Sequence, residues 1–519
     1  MKRFTRRSLF LLLTAALCLL LAGCWGSDPL AEENGDLNGL LGLEGSDTAD
    51  DVVPITSFAL PILAGETLDP IDCGDGVQQL LLPLLYEGLF ELDPSFEPQP
   101  VLCESYTHSE DFTVWTFQVR SVSFSDGSAL SAADVAAALQ RAKTSARYGA
   151  RLSSVSSIRV QNGAVEITLS QPNNRFPALL DIPIPSKSRA GSAVPIGTGP
   201  YVYTTGDNGA SLMKNTAWWK GESLPVDTIP LRTVDSENTL TYLFSSHAIQ
   251  MLLTDYTGSD PVSYKGNLST TDTQTTTLQY LGFNCRSGPF SDAKLRRAIS
   301  LGINRDSICK AYLSGHAVST QFPVAPASSW YPAALEESYN AESFAQAMTE
   351  AGYNGGAHAA SVRMLVCEGN AFRLSAAKAI AAALSVYDLK VEVHTLPYEE
   401  YLSALQSGTF DLYYGETRMT PDFNCAALIQ TGGSLNYGGF SDPALDAQLT
   451  TAFSTAASPS GANETLFSTF QTNAPIAPIC FKTQSVVLQA GAADNITPTA
   501  SNAFYRFPDW TIHLTGADS

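Results

Sequence analysis

Phe124-Ser125-Asp126-Gly127-Ser128-Ala129-Leu130-Ser131-Ala132-Ala133-Asp134-Val135 is the stretch on which the reading of this chain turns. Just before it, Trp115, Phe117 and Val119 alternate with polar Thr116 and Gln118, the period of a half-buried strand. Ser125-Asp126-Gly127 carries turn chemistry, with Asp early in the turn and Gly where φ can go positive. Ser131 is a good N-cap, and three residues on, Asp134 places a carboxylate at the positive end of a new helix. The stretch predicts strand, turn and capped helix, an arrangement that many folds contain.

Three further stretches make it specific. They are Leu84-Leu85-Tyr86-Glu87-Gly88-Leu89, Pro195-Ile196-Gly197-Thr198-Gly199-Pro200-Tyr201, and Phe290-Ser291-Asp292 followed by Leu295-Arg296-Arg297-Ala298-Ile299. In this order and at these spacings, the four resemble the signatures of the bacterial extracellular solute-binding proteins of family 5. This is the dipeptide- and oligopeptide-binding class that feeds ABC importers, and the resemblance runs from about Leu68 to Trp510. It implies an α/β, two-lobed periplasmic-binding-protein-like fold (type II, cluster C-like) with an extra small α/β subdomain in the first lobe. It also implies two strands crossing between the lobes, near 275–281 and 483–489, with ligand shut between them.

The beginning of the chain has the features of an export leader. Lys2, Arg3, Arg6 and Arg7 precede the apolar run from Leu9 to Leu21, which is too short to span a bilayer. Leu21-Ala22-Gly23-Cys24 resembles a bacterial lipobox, which implies cleavage after residue 23 and a lipid on Cys24. Residues 24–53 are rich in Asp, Glu, Gly and Asn and lack a sustained apolar period, so they read as a disordered, lipidated tether. The expected location is the outer face of the cell membrane, or the periplasm in a host with an outer membrane.

Composition narrows the functional classes. The formal charge is −21, or −25 without residues 1–23, so phosphate-backbone binding is disfavoured and no nucleic-acid partner is expected. No later run of 18 apolar residues provides a second anchor. Beyond Cys24, the cysteines are Cys73, Cys103, Cys285, Cys309, Cys367, Cys425 and Cys480, without a CxxC pair, so zinc and thioredoxin-like chemistry falls away. Export permits disulfides, with Cys73–Cys103 the one candidate pair. His108, His247, His316, His358, His394 and His513 stand singly, and the hydrolase, metalloprotease, P-loop and dinucleotide motifs are absent. The expectation is no enzyme, no catalytic residue, no cofactor and no metal. An extracellular hydrolase is the weaker alternative, and a sensing or adhesion lipoprotein of the same fold is another.

The expected organisation is a first-lobe core from 54–71, 186–275 and 488–519, an extra subdomain over 72–185, and a second lobe over 276–487. In the second lobe, Val362–Val366, Phe372–Tyr387, Lys390–Thr395, Tyr398–Ser407 and Phe410–Tyr414 read as strand, helix, strand, helix, strand with parallel neighbours. The Leu295/Ala298/Ile299 helix is expected to be capped by Ser291. The implied function is capture of a peptide or other small polar solute by a monomer that hands it to ABC permease subunits. By family position the implied ligand residues are Glu66, Thr67, Tyr280, Phe283, Asn284, Tyr413, Tyr414, Glu416, Arg418, Asn436 and Tyr437. Peptide-binding relatives usually carry, after the strand ending near 414, an Asp that pairs with the peptide ammonium. Here Arg418 stands near that place, with Glu416 and Asp422 as alternative acids. A guanidinium offers a planar fork for carboxylate, phosphate or sulfate, so the expected solute is anionic or N-blocked.

Overall fold

The computed structural model describes residues 55–456 and 461–515, and the expected leader, tether and Cys24 lie outside them. Among the described residues, no helix is long and apolar enough to cross a membrane.

The opening stretch folds as its residues direct. The strand Val114–Val119 buries Trp115 and Phe117, Gly127 takes φ 84° in the turn, and a helix spans Ala132–Thr144. Asp134 accepts from the Ser131 backbone N–H at 3.0 Å and from its hydroxyl at 2.5 Å, the reciprocal arm of a capping box. Val135, Leu139 and Ala142 turn inward with Trp115 and Phe117. They cover a four-stranded antiparallel sheet in the order Cys103–His108, Val114–Val119, Ala164–Leu169, Val155–Gln161.

A second four-stranded sheet sets Leu60–Leu63 parallel to Thr228–Val234, followed by antiparallel Gly209–Lys214 and Tyr201–Gly206. The helix Gly76–Leu85, capped by Asp75, buries Leu80, Leu81, Leu84 and Leu85 in the core of this sheet. Phe504, Phe507 and Trp510 return the chain's end to the same core.

The third sheet has seven strands. Its spine is the antiparallel pair Leu268–Phe283 and Ile476–Gln489. The two strands run through the segments expected to cross. At one end Val486 and Leu488 pack with Leu60 and Tyr201, whereas at the other Leu278, Tyr280 and Phe481 pack with Phe410 and Tyr413. One pair of strands therefore feeds two hydrophobic cores. Its register slips between Gln274 and Leu278, and there the Thr275 hydroxyl donates to the Lys482 carbonyl at 2.8 Å. Ala360–Cys367 lies parallel to both Leu389–Leu396 and Leu412–Arg418, joined through the helices Ala371–Leu384 and Tyr398–Ser407, the expected alternation.

Two expectations are corrected. Asp292, not Ser291, caps the helix Ala293–Leu301, accepting from the Lys294 N–H at 2.9 Å, while Ser291 lies in a preceding 3₁₀ turn. Cys73 and Cys103 do not pair, because they sit in different cores and each thiol turns to a carbonyl two residues on, Asp75 at 3.7 Å and Ser105 at 3.3 Å.

Gly199 explains the second motif. Its N–H bonds the Leu85 carbonyl at 3.0 Å, and a Cβ there would stand 2.5 Å from the Leu85 carbonyl carbon. Backbone cannot yield as a side chain does, so Gly199→Ala is expected to destabilise the fold by about 2–3 kcal/mol. A urea midpoint indistinguishable from the parent's would refute this.

Candidate functional site

A cavity of about 870 Å³ lies against the helix Gly76–Leu85, the segment 147–151, the end of the strand Leu412–Arg418 and the C-terminal segment 499–509. Thr273, Thr275 and Thr276 of the spine also line it. The size is that of a small-solute site.

Its acids are mostly occupied. Glu87 accepts from the Trp219 indole at 2.7 Å, the Trp218 indole at 3.3 Å and the Thr198 hydroxyl at 2.9 Å, with the Lys220 ammonium 3.6 Å away. Burial pushes its carboxyl pKa up against these partners. Glu91 accepts from the Asn502 amide at 2.5 Å, and burial raises its pKa as well. Asp181 is paired with Arg151, and Asp509 with Arg506 at 2.8 Å.

The cations are less well matched. Arg147 donates to the Cys73 carbonyl at 3.2 Å, and the Arg147 and Arg151 guanidiniums lie over the ring of buried Tyr148 at 5.1 and 5.5 Å. Among the described residues, the Arg418 guanidinium has neither a hydrogen-bond partner nor an ion pair. The residue is exposed at the strand's end, and partial desolvation by the surrounding wall, then the like charges of Arg147 and Arg151, lower its pKa from the usual arginine value.

Of the residues expected to touch ligand, Arg418 alone lines the cavity. Glu66 is exposed elsewhere, and Thr67 bonds the Ala193 carbonyl at 3.2 Å. Tyr280 and Tyr413 pack edge to face, 5.8 Å between centroids, and Tyr437 packs on Tyr413 at 6.2 Å. Phe283 packs on Phe290, and Asn284 bonds the Phe410 carbonyl at 3.0 Å. Tyr414 donates to Gln279 at 2.7 Å, Glu416 takes Gln279 at 2.8 Å and Arg373 at 3.5 Å, and Asn436 ties its own loop to the Phe440 carbonyl at 2.8 Å. Tyr413 and Tyr414 point to opposite faces of a strand buried on both, which leaves only the strand's end, at Arg418, facing the cavity. Asp422, the alternative acid, is buried and accepts from Asn173 at 2.8 Å and Thr420 at 2.5 Å.

Sequence reasoning passed over Arg147, Tyr148 and Arg151. The signal available was the basic–aromatic spacing of Arg147-Tyr148-Gly149-Ala150-Arg151, just after the helix of the opening stretch. No cluster of three or more His, Cys, Asp or Glu among the described residues is arranged to hold a metal ion.

Contacts close the site from the subdomain side. Phe96, at φ 61°, is buried against Phe423 with centroids 5.1 Å apart, within the core that holds Tyr413 and Phe481. Asn174 donates to the Ala452 and Thr455 carbonyls at 2.9 and 2.6 Å.

Comparison with known proteins gives this arrangement a family. The profile of bacterial extracellular solute-binding proteins, family 5 (middle), matches residues 97–437. The glutathione-binding protein GsiB of Escherichia coli (strain K12) is 28% identical over 307 residues, 56% of this chain and 60% of that protein. The match thus spans about three fifths of the relative's length. A nickel ABC transporter structure from Bacillus halodurans superposes with a TM-score of 0.71 at 18% identity, covering 87% of this chain and 98% of that one. The oligopeptide-binding protein AppA from Bacillus subtilis, in complex with a nonapeptide, has a TM-score of 0.59 at 18% identity and covers 89% and 100%. These likenesses establish the two-lobed α/β fold.

Phe96→Ala removes a buried ring worth about 3 kcal/mol in such a site. Small-angle scattering is expected to show a larger radius of gyration than the parent's; an unchanged radius would mean that this contact does not hold the lobes together.

Proposed function

We propose, from the premise that this chain belongs to the bacterial extracellular solute-binding proteins of family 5, that it captures a short peptide or similar small polar solute in the 870 Å³ cavity and delivers it to the permease of an ABC importer. It binds without turnover: the sequence carries no catalytic constellation, and the acids at the cavity are engaged by indoles, amides and cations.

The observation that carries the choice of solute is the Arg418 guanidinium, in the cavity and without an acid. A peptide ammonium brought there would meet a like charge while losing water, whereas a carboxylate would gain a charge-assisted pair. Glutathione, the ligand in the GsiB name, is a tripeptide with two carboxylates and fits this chemistry. The preferred solute presents an anionic group to Arg418 and needs no free N-terminus.

Calorimetric titration with matched free and N-acetylated tripeptides, and with glutathione, tests this. Acetylation is expected to leave affinity intact, and Arg418→Ala to lower it by about 10- to 100-fold, the worth of one hydrogen-bonded charge. Loss of binding on acetylation would instead make an acid the anchor.

Cys24 is proposed to carry the lipid that holds the protein at the membrane face. Cys24→Ala should release it to the soluble fraction and abolish labelling by a fatty-acid probe; retention of both label and membrane association would refute the anchor.

A further inference from the structure

We propose that Arg147, Arg151 and Arg418 form a receptor for a solute bearing at least two anionic groups. The proposal rests on the solute-binding reading above and deepens it.

The three side chains come from different parts of the fold. Arg147 and Arg151 follow the helix Ala132–Thr144 over the four-stranded layer, and Arg418 ends the strand Leu412–Arg418 of the large sheet. All three line one cavity. Tyr148 carries both subdomain guanidiniums on its ring at 5.1 and 5.5 Å, which positions them from one wall. Charge is not balanced. Asp181 answers Arg151, Arg147 has a neutral carbonyl, and Arg418 has neither. The other acids at the cavity are taken, Glu87 by Lys220 and two indoles and Glu91 by Asn502, while Glu222 is exposed.

Two exposed guanidiniums without an acid partner thus line one cavity. Their like charges repel, and the repulsion grows as an entering solute displaces water and the local dielectric falls. One carboxylate can take one guanidinium fork with both of its oxygens, but it cannot pair bidentately with both forks at once. A solute with two carboxylates or phosphates can bridge Arg418 to Arg147, turning repulsion into two attractions. A neutral or zwitterionic peptide cannot.

The test titrates citrate, glutathione and trialanine amide into the full chain and into Arg147→Gln, Arg418→Gln, the double Gln variant and Arg418→Lys, at low and high salt. Citrate or glutathione is expected to bind at least tenfold tighter than the amide, with affinity falling as salt rises. Either single Gln change should lower that affinity at least tenfold and leave the amide unaffected. The double Gln variant should lose the preference for citrate over the amide, whereas Arg418→Lys, which keeps the charge and serves as the folding control, should retain part of it. If trialanine amide binds as tightly as the dianions and Arg147→Gln changes nothing, this proposal falls while solute binding stands. If no probe binds any variant, both fall.

Discussion

The antiparallel pairing of Leu268–Phe283 with Ile476–Gln489 is the constraint on which the architecture depends. A strand buried at both ends in different cores cannot slip register by one residue, because every side chain would change face. Val486 and Leu488 therefore commit one end to the core of Leu60 and Tyr201, and Phe481 commits the other to that of Phe410 and Tyr413. Two folding units that each need this pair cannot separate, and among the described residues they also touch through patches such as Phe96 on Phe423.

Much of this was legible. Periodicity located the strand of Trp115, the capping pair Ser131 and Asp134, and the strand–helix alternation from Ala360 to Arg418, because each is written in local residue order. The site was less so. Its walls come from residues 76–101, 147–183, 200–222, 253, 273–276, 418–421, 484–486 and 499–509, and no local pattern brings these together. Tyr280, Tyr413 and Tyr414 have the look of ligand contacts, a large ring with a polar tip, but that same chemistry suits a buried ring with one hydrogen bond, and Gln279 supplies it to Tyr414. Arg418 was found by family position, where a guanidinium stands near the place of an expected Asp. That it lacks an acid could not be read there, since Glu416 two residues away is drawn instead to Arg373 on the helix Ala371–Leu384.

The acids reveal how selectivity is arranged. Glu87 sits in a motif shared with the family, yet it spends its lone pairs on Trp218, Trp219 and Thr198 and takes Lys220 as counter-ion. A carboxylate so engaged has little left for a ligand ammonium. Asp422 likewise ties the subdomain to the second lobe through Asn173. The negative charge of the chain as a whole, −21, thus coexists with a cavity whose unassigned charge is positive. Long-range attraction is not what draws an anion in; the interaction is short-ranged and made after entry.

The slipped register between Gln274 and Leu278 has a mechanical consequence. Over those residues the spine lacks regular ladder bonds and leans on the Thr275 hydroxyl and on the Thr276 carbonyl, which holds the Met419 N–H at 2.8 Å. A bulged ladder bends and twists more readily than a regular one, so a hinge between the lobes would meet its least resistance here. Thr275 and Thr276 also line the cavity, beside Met419. An occupant of the cavity would therefore rest against the residues whose torsions such a hinge would change, so that its departure and a swing of the lobes would be coupled.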